Sequence, residues 1–154
     1  MKRAGIVAYR FGREGLEVLL VHPGGPFWAN KDYNTWSIPK GIVEKDEDEL
    51  HAALREFNEE TGFEANCDLT DLGSVDYSGK SVHAWAAKCD FDVSNAKSNL
   101  FEMEWPKGSG KIEKFPEVDK AEWFPISKAQ LKILKAQVPF LERLKERLLG
   151  KNKN

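Results

Sequence analysis

The stretch ALREFNEETGF, residues 53–63, crowds Glu56, Glu59 and Glu60 onto what its pattern predicts to be one helix. Like charges at neighbouring helical positions repel, and each such pair costs an isolated helix ~0.2–0.5 kcal/mol. A fold that keeps all three must leave that face wet or supply a cation. At 100° per residue, Leu50, Ala53, Leu54, Phe57 and Thr61 fall on one side of the helix, the core face. The three glutamates fall within an arc of about 100° on the other side, where their carboxylates can converge. Hard oxygen ligands on a rigid scaffold suit Mg²⁺ or Mn²⁺, with water and substrate phosphates completing the coordination. Taken alone, E-x-x-E-E reads first as a solvated acidic face, because surface helices are commonly rich in glutamate.

The surrounding residues narrow that choice. Residues 41–63, GIVEKDEDELHAALREFNEETGF, follow the pattern G-x5-E-x7-R-E-U-x-E-E-x-G-U, where U is a bulky apolar residue. Gly41, Glu47, Arg55, Glu56, Phe57, Glu59, Glu60, Gly62 and Phe63 fill every specified place. At ordinary residue frequencies a chance match in a chain this long is rarer than roughly one in a million. The segment resembles the Nudix box, the signature of the Nudix hydrolases, with no departure at its defining positions.

The resemblance implies a divalent-metal enzyme that hydrolyses a pyrophosphate bond in a nucleoside diphosphate derivative, usually with Mg²⁺ and also with Mn²⁺. It implies that Glu56, Glu59 and Glu60 hold the metal, with the Gly41 carbonyl as a further ligand. Arg55 and Glu47 would form the ion pair that orients the helix. Glu59 is the first choice as general base and Glu60 the second. In this family the base sometimes lies on a late loop, where Glu117 in FPEVDKAEW stands; a solvated loop acid is the alternative reading. Lys40, just before the box in WSIPKG, is placed to meet phosphate oxygens or to be a surface lysine.

W-x-x-P-K-G is similar to the entry into the box of the MutT-like and diadenosine-polyphosphate branches. That favours a small nucleotide substrate, either a nucleoside triphosphate or a dinucleoside polyphosphate. A non-catalytic nucleotide-sensing domain and an RNA 5′-end pyrophosphohydrolase are the alternatives. Trp28, Trp36, Tyr77, Trp85 and Trp105 are candidates for stacking on a base or for packing in the core. Trp28 and Trp36 are the two assigned to nucleotide binding, Trp28 because a polar loop has little need of it. His22, His51 and His83 are scattered and read as structural.

The rest of the chain sets the frame. AGIVAYRF and LEVLLVHP read as a hairpin across GREG, and TWSIP as a short strand ending at Pro39. The helix is expected from about Glu47 to Thr61, with Asp46 as N-cap, Glu49 completing a capping box and Gly62 as its stop. LTDLGSVDYS and KSVHAWAAKCDFDV read as strands paired across Ser78–Gly79–Lys80. LFEMEW reads as a half-buried strand, PKGSGKIEKFPEVD as a long loop and KAEWFPI as a strand. SKAQLKILKAQVPFLERLKERLLG reads as helical, with Pro139 early in a second helix and a leucine face for the core or a dimer. The fold class is therefore α/β, a mixed α+β sheet in a Nudix-type α/β/α sandwich, with the catalytic helix after a short strand.

One domain is expected over residues 1–150, with 151–154 as a disordered tail. A net charge of −2 argues against nucleic-acid binding by broad phosphate neutralisation. The N-terminal apolar run is too short for a membrane span. Without a secretory signal, Cys67 and Cys89 read as reduced thiols of a cytoplasmic protein, either monomeric or homodimeric.

Overall fold

Two apolar runs start the sheet. The computed structural model, which describes residues 1–149, places them in β1 (Lys2–Gly12) and β2 (Gly15–Pro23). They form an antiparallel hairpin that closes at the Gly12–Gly15 pair, where Gly15 adopts φ 92°. The short β3 (Lys40–Ile42) pairs antiparallel with the other half of β1, and α1 (Glu49–Thr61) follows it. β4 (Leu69–Tyr77) and β5 (Lys80–Lys88) form a second hairpin. Because β5 runs parallel to β1, the sheet is mixed, in the order β4-β5-β1-β2-β8 with β3 beside β1.

β6 (Leu100–Glu104) and β7 (Ile112–Pro116) form a separate two-stranded ribbon, and β8 (Val118–Pro125) returns to pair with β2. α2 (Ile126–Lys132) and α3 (Val138–Leu149) end the described chain. No helix among the described residues is long and apolar enough to cross a membrane.

Alternation along β1 sorts the core into two layers. Ala4, Ile6 and Ala8 face α1, where they meet Ala53, Phe57 and Trp85. Val7 faces the other way, into a cluster with Val82, Leu141 and Leu144 under the C-terminal helices. The thiols of Cys67 and Cys89 lie 2.7 Å apart beside the first layer, both free.

Several expected boundaries move. The N-cap of α1 is Asp48, not Asp46: its carboxylate accepts the His51 N–H at 3.2 Å, and the helix starts at Glu49. Asp46 sits in the left-handed region, φ 63°, which breaks the turn there. Glu47 thus lies outside the helix and its carboxylate is free to reach forward. Gly62 ends the helix as expected, with φ 81° and its N–H on the Asn58 carbonyl.

TWSIP makes only two isolated bridges, Trp36 to Ile133 and Ser37 to Val21, because it crosses between the sheet and α2. The long loop after Trp105 contains β7, whose partner is the adjacent β6. Of the leucine face, Leu141 and Leu144 are buried, but Leu131 is 60% exposed. Pro139 is the second residue of α3. The tail expected over 151–154 lies outside the described residues.

Candidate functional site

Four backbone hydrogen bonds gather the site. The last turn of α1 leaves carbonyls without helical partners. Asn99 N–H bonds the Glu59 carbonyl and Lys97 N–H the Thr61 carbonyl, both at 2.9 Å. Glu117 N–H then bonds the Asn99 carbonyl at 2.8 Å, and Gly24 N–H bonds the Glu117 carbonyl at 2.9 Å. The end of α1, the junction between β7 and β8, and the loop after β2 are thereby tied in one chain of contacts.

Arg55 organises the acidic face. Its Nε donates to Glu47 Oε2 at 2.8 Å and its Nη2 to Glu47 Oε1 at 3.0 Å, a two-pronged contact. Nη2 also donates to the Ile42 carbonyl at 3.0 Å, and Nη1 to Glu56 Oε1 at 2.9 Å. Nη1 reaches both oxygens of Glu59, at 3.2 and 3.3 Å. Hydrogen bonds from Arg55 are the main reason the Glu47 carboxyl is held down at about 2, well below its usual range.

Glu60 lies beyond that reach. Burial first, then the nearby Glu56 and Glu117, push its carboxyl up to about 8 against the pull of the Lys40 ammonium and backbone N–H. Glu56 and Glu117 are also raised, each by burial first, with Glu59 adding repulsion to both. Gly41 is buried against this group, and a Cβ there would overlap the Glu56 carboxyl. Only glycine at 41 lets the Glu56 carboxyl come this close to the backbone.

A cavity of about 220 Å³ opens beside these acids, lined by Lys40, Glu60 and Glu117 together with Trp28, Val21 and Leu134. A second, of about 200 Å³, shares Glu60 and Val118 but is bordered by Lys97, Asp119 and Lys120. Trp28 is 42% exposed, with the Lys31 ammonium over its ring.

Trp36 is not at this cavity. It is 3% exposed and packs edge-on against Phe124 and His22, with its indole N–H on Asp32 at 2.8 Å. Core packing claims the side chain because Trp36 bridges to the segment after α2, so no face remains for stacking. Leu134 and Val118, which line the cavity, escape a sequence reading: they arrive there only through pairings across about a hundred residues.

No three acidic, His or Cys side chains among the described residues are already drawn into metal-ligand geometry. The donor set nevertheless fits a hard divalent cation. Glu56, Glu59, Glu60 and Glu117 lie close enough to repel one another, Glu60 and Glu117 line one cavity, and Gly41 leaves room for the Glu56 carboxyl.

Residues 1–144 match the NUDIX domain model, and the chain belongs to that family. It is 29% identical over 125 residues to Nudix hydrolase 5 of Arabidopsis thaliana, covering 80% of this chain and 36% of that protein. It is 35% identical over 101 residues to an 8-oxo-(d)GTP phosphatase of Mycolicibacterium smegmatis, covering 63% of this chain and 26% of that one. The chain thus spans about a third or less of the curated relatives it matches. A C. elegans Ap4A hydrolase structure superposes with TM-score 0.68 at 24% identity, covering 96% of this chain and 98% of the other. The NUDIX domain of Shewanella oneidensis NrtR, complexed with ADP ribose, gives 0.69 at 19% identity, covering 96% and 88%. These likenesses bear on the fold.

Proposed function

We propose that this chain is a divalent-metal pyrophosphohydrolase acting on a nucleoside triphosphate or a dinucleoside polyphosphate. The observation that carries the reading is the cavity at which Glu60, Glu117 and Lys40 meet beside the Arg55-ordered glutamates. Glu56, Glu59, Glu60 and the Gly41 carbonyl would hold the metal. Once bound, Mg²⁺ or Mn²⁺ supplies charge neutralisation at the pyrophosphate and a more acidic water.

The chain's own residues do the rest. Glu47 and Arg55 fix the pitch of the acidic face, and Lys40 presents a cation to the phosphate oxygens. Glu60 supersedes Glu59 as the first choice of base: it lines both cavities, whereas both Glu59 oxygens lie on Arg55. A carboxyl raised toward neutrality is suited to proton abstraction. Trp28, which lines the cavity and is partly exposed, offers its ring to a base. A cytoplasmic setting, where nucleotides abound and thiols stay reduced, accords with the two free cysteines.

Purified protein with Mg²⁺ or Mn²⁺ should release phosphate or pyrophosphate from one class in a panel of nucleoside triphosphates, oxidised nucleotides, dinucleoside polyphosphates and nucleotide sugars. Saturable nucleotide binding without turnover under either metal would replace this reading with a sensor domain. Preference for triphosphorylated RNA over free nucleotide would move the substrate to RNA ends.

Gly41→Ala separates folding from metal binding. The added methyl meets the end of a flexible Glu56 side chain, which can swing aside. The melting temperature should therefore stay near that of the parent, while Mn²⁺ affinity falls about tenfold or more as the carboxyl is displaced. A Mn²⁺ titration that matches the parent would remove Gly41 and Glu56 from the ligand set.

A further inference from the structure

Strand pairing brings three basic residues to one face of the sheet. Arg3 and Gly5 are two apart on β1 and so point to the same side. Lys40 of β3 stands opposite Gly5, and Val82 of β5 stands beside Arg3. Lys80, two residues before Val82, shares that face. Arg3, Lys40 and Lys80 thus come from three adjacent strands. None of the three takes part in an ion pair among the described residues.

Arg3 carries the second observation. Its Nε is buried and has no hydrogen-bond partner, and its Nη2 reaches only the Met1 sulfur at 3.9 Å. A guanidinium cannot shed its charge, and a buried N–H without an acceptor is costly. An apolar side chain would suit this position better if packing were its only task. Arg3 and Lys80 lie close enough to Lys40 to repel its ammonium, and Glu60 and Glu56 close enough to attract it. Lys40 has these glutamates nearby, but Arg3 and Lys80 have no acidic partner among the described residues.

Lys40 also lines the cavity that holds Glu60 and Glu117, so the cationic face continues directly from the acidic site. We propose that Arg3, Lys40 and Lys80 form a subsite for the terminal phosphate of a polyphosphate chain whose scissile linkage lies at the glutamates. The inference rests on the pyrophosphohydrolase reading and extends it: the substrate carries a phosphate group beyond the bond that is cut. Arg3 supplies the planar fork that phosphate oxygens accept from, and Lys80 supplies a mobile charge at the strand end.

The test is calorimetric titration of the full chain with inorganic tripolyphosphate, without divalent metal. Arg3→Met and Lys80→Met are compared with the surface control Lys128→Met. Arg3→Met and Lys80→Met should each weaken binding about tenfold or more, the scale of a lost hydrogen bond to a charged group. Lys128→Met should bind as the parent does. Arg3→Met should melt no lower than the parent, because it removes a buried unsatisfied donor.

The ratio of kcat/KM for a nucleoside triphosphate to that for its diphosphate should fall in step. Tripolyphosphate affinity unchanged by Arg3→Met and Lys80→Met, or absent in the parent, would overturn the subsite. Weaker tripolyphosphate binding with an unchanged ratio would overturn its assignment to the substrate chain. If no nucleotide is turned over, the pyrophosphohydrolase reading fails separately, while the tripolyphosphate titration still decides whether the three cations hold an anion.

Discussion

Glu60→Gln is expected to lower kcat by about 10²–10⁴-fold, the range for loss of a general base, while leaving the fold intact. The carboxyl is desolvated and crowded by Glu56 and Glu117, which together push it up to about 8. At neutral pH its charged form is therefore disfavoured in the folded chain, so the amide should melt no lower than the parent. The same shift gives a pH signature. Below about pH 8 a cation must displace a proton from Glu60. Mn²⁺ affinity of the parent should accordingly rise as pH is raised toward 8 and then level. In Glu60→Gln that dependence should flatten.

Two companion variants separate the roles. Glu117→Gln removes a cavity-lining acid whose backbone stays pinned by Gly24 and Asn99. Glu59→Gln removes an acid already engaged by Arg55. A variant that loses turnover even at saturating Mn²⁺, beyond what its loss of Mn²⁺ affinity accounts for, marks the base. Parental turnover in Glu60→Gln would return that role to Glu59 or Glu117.

The acidic helix was legible because its information is local. Residues three and four apart must share a face, and Gly62 ends the helix through its own φ. The box pattern also placed Arg55 eight residues from Glu47, and the two side chains meet in the structure. What escaped was set by pairing across the chain. Asp46 and Asp48 are both plausible caps by residue type; the backbone at Asp46 turns left-handed, and that is a property of the loop and not of the residue.

The sequence assigns both Trp28 and Trp36 to nucleotide binding, yet Trp36 is sealed between Phe124 and His22 and Trp28 is exposed. The burial of Trp36 comes from the return of β8 and the segment after α2 onto it, which no local pattern announces. Arg3 and Lys80 lie 77 positions apart in the sequence. The parallel pairing of β1 with β5 makes them neighbours, and no local signal announces a parallel register.

Phe57→Ala should cost about 3–5 kcal/mol, the range for truncating a fully buried phenylalanine. Phe57 has no exposed surface and sits between Ile6, Leu19 and Ala53, with the Phe91 ring 5.8 Å away. A typical domain has only about 5–15 kcal/mol to lose, so the urea midpoint should fall by on the order of 1–3 M.

The consequence for the site follows from geometry. Phe57 is the bulkiest side chain by which α1 grips the sheet, and the helix's rotation sets Glu56 against Gly41 and Glu60 at the cavity. A cavity beneath Phe57 loosens that rotation. Mn²⁺ affinity should therefore fall even under conditions where circular dichroism reports a folded chain. Phe57→Leu, which refills most of the space, should recover most of both losses. A Phe57→Ala variant that is markedly destabilised yet binds Mn²⁺ as tightly as the parent would break the link between core packing and the acidic face. The glutamates would then be positioned by Arg55 and the Gly41 turn alone.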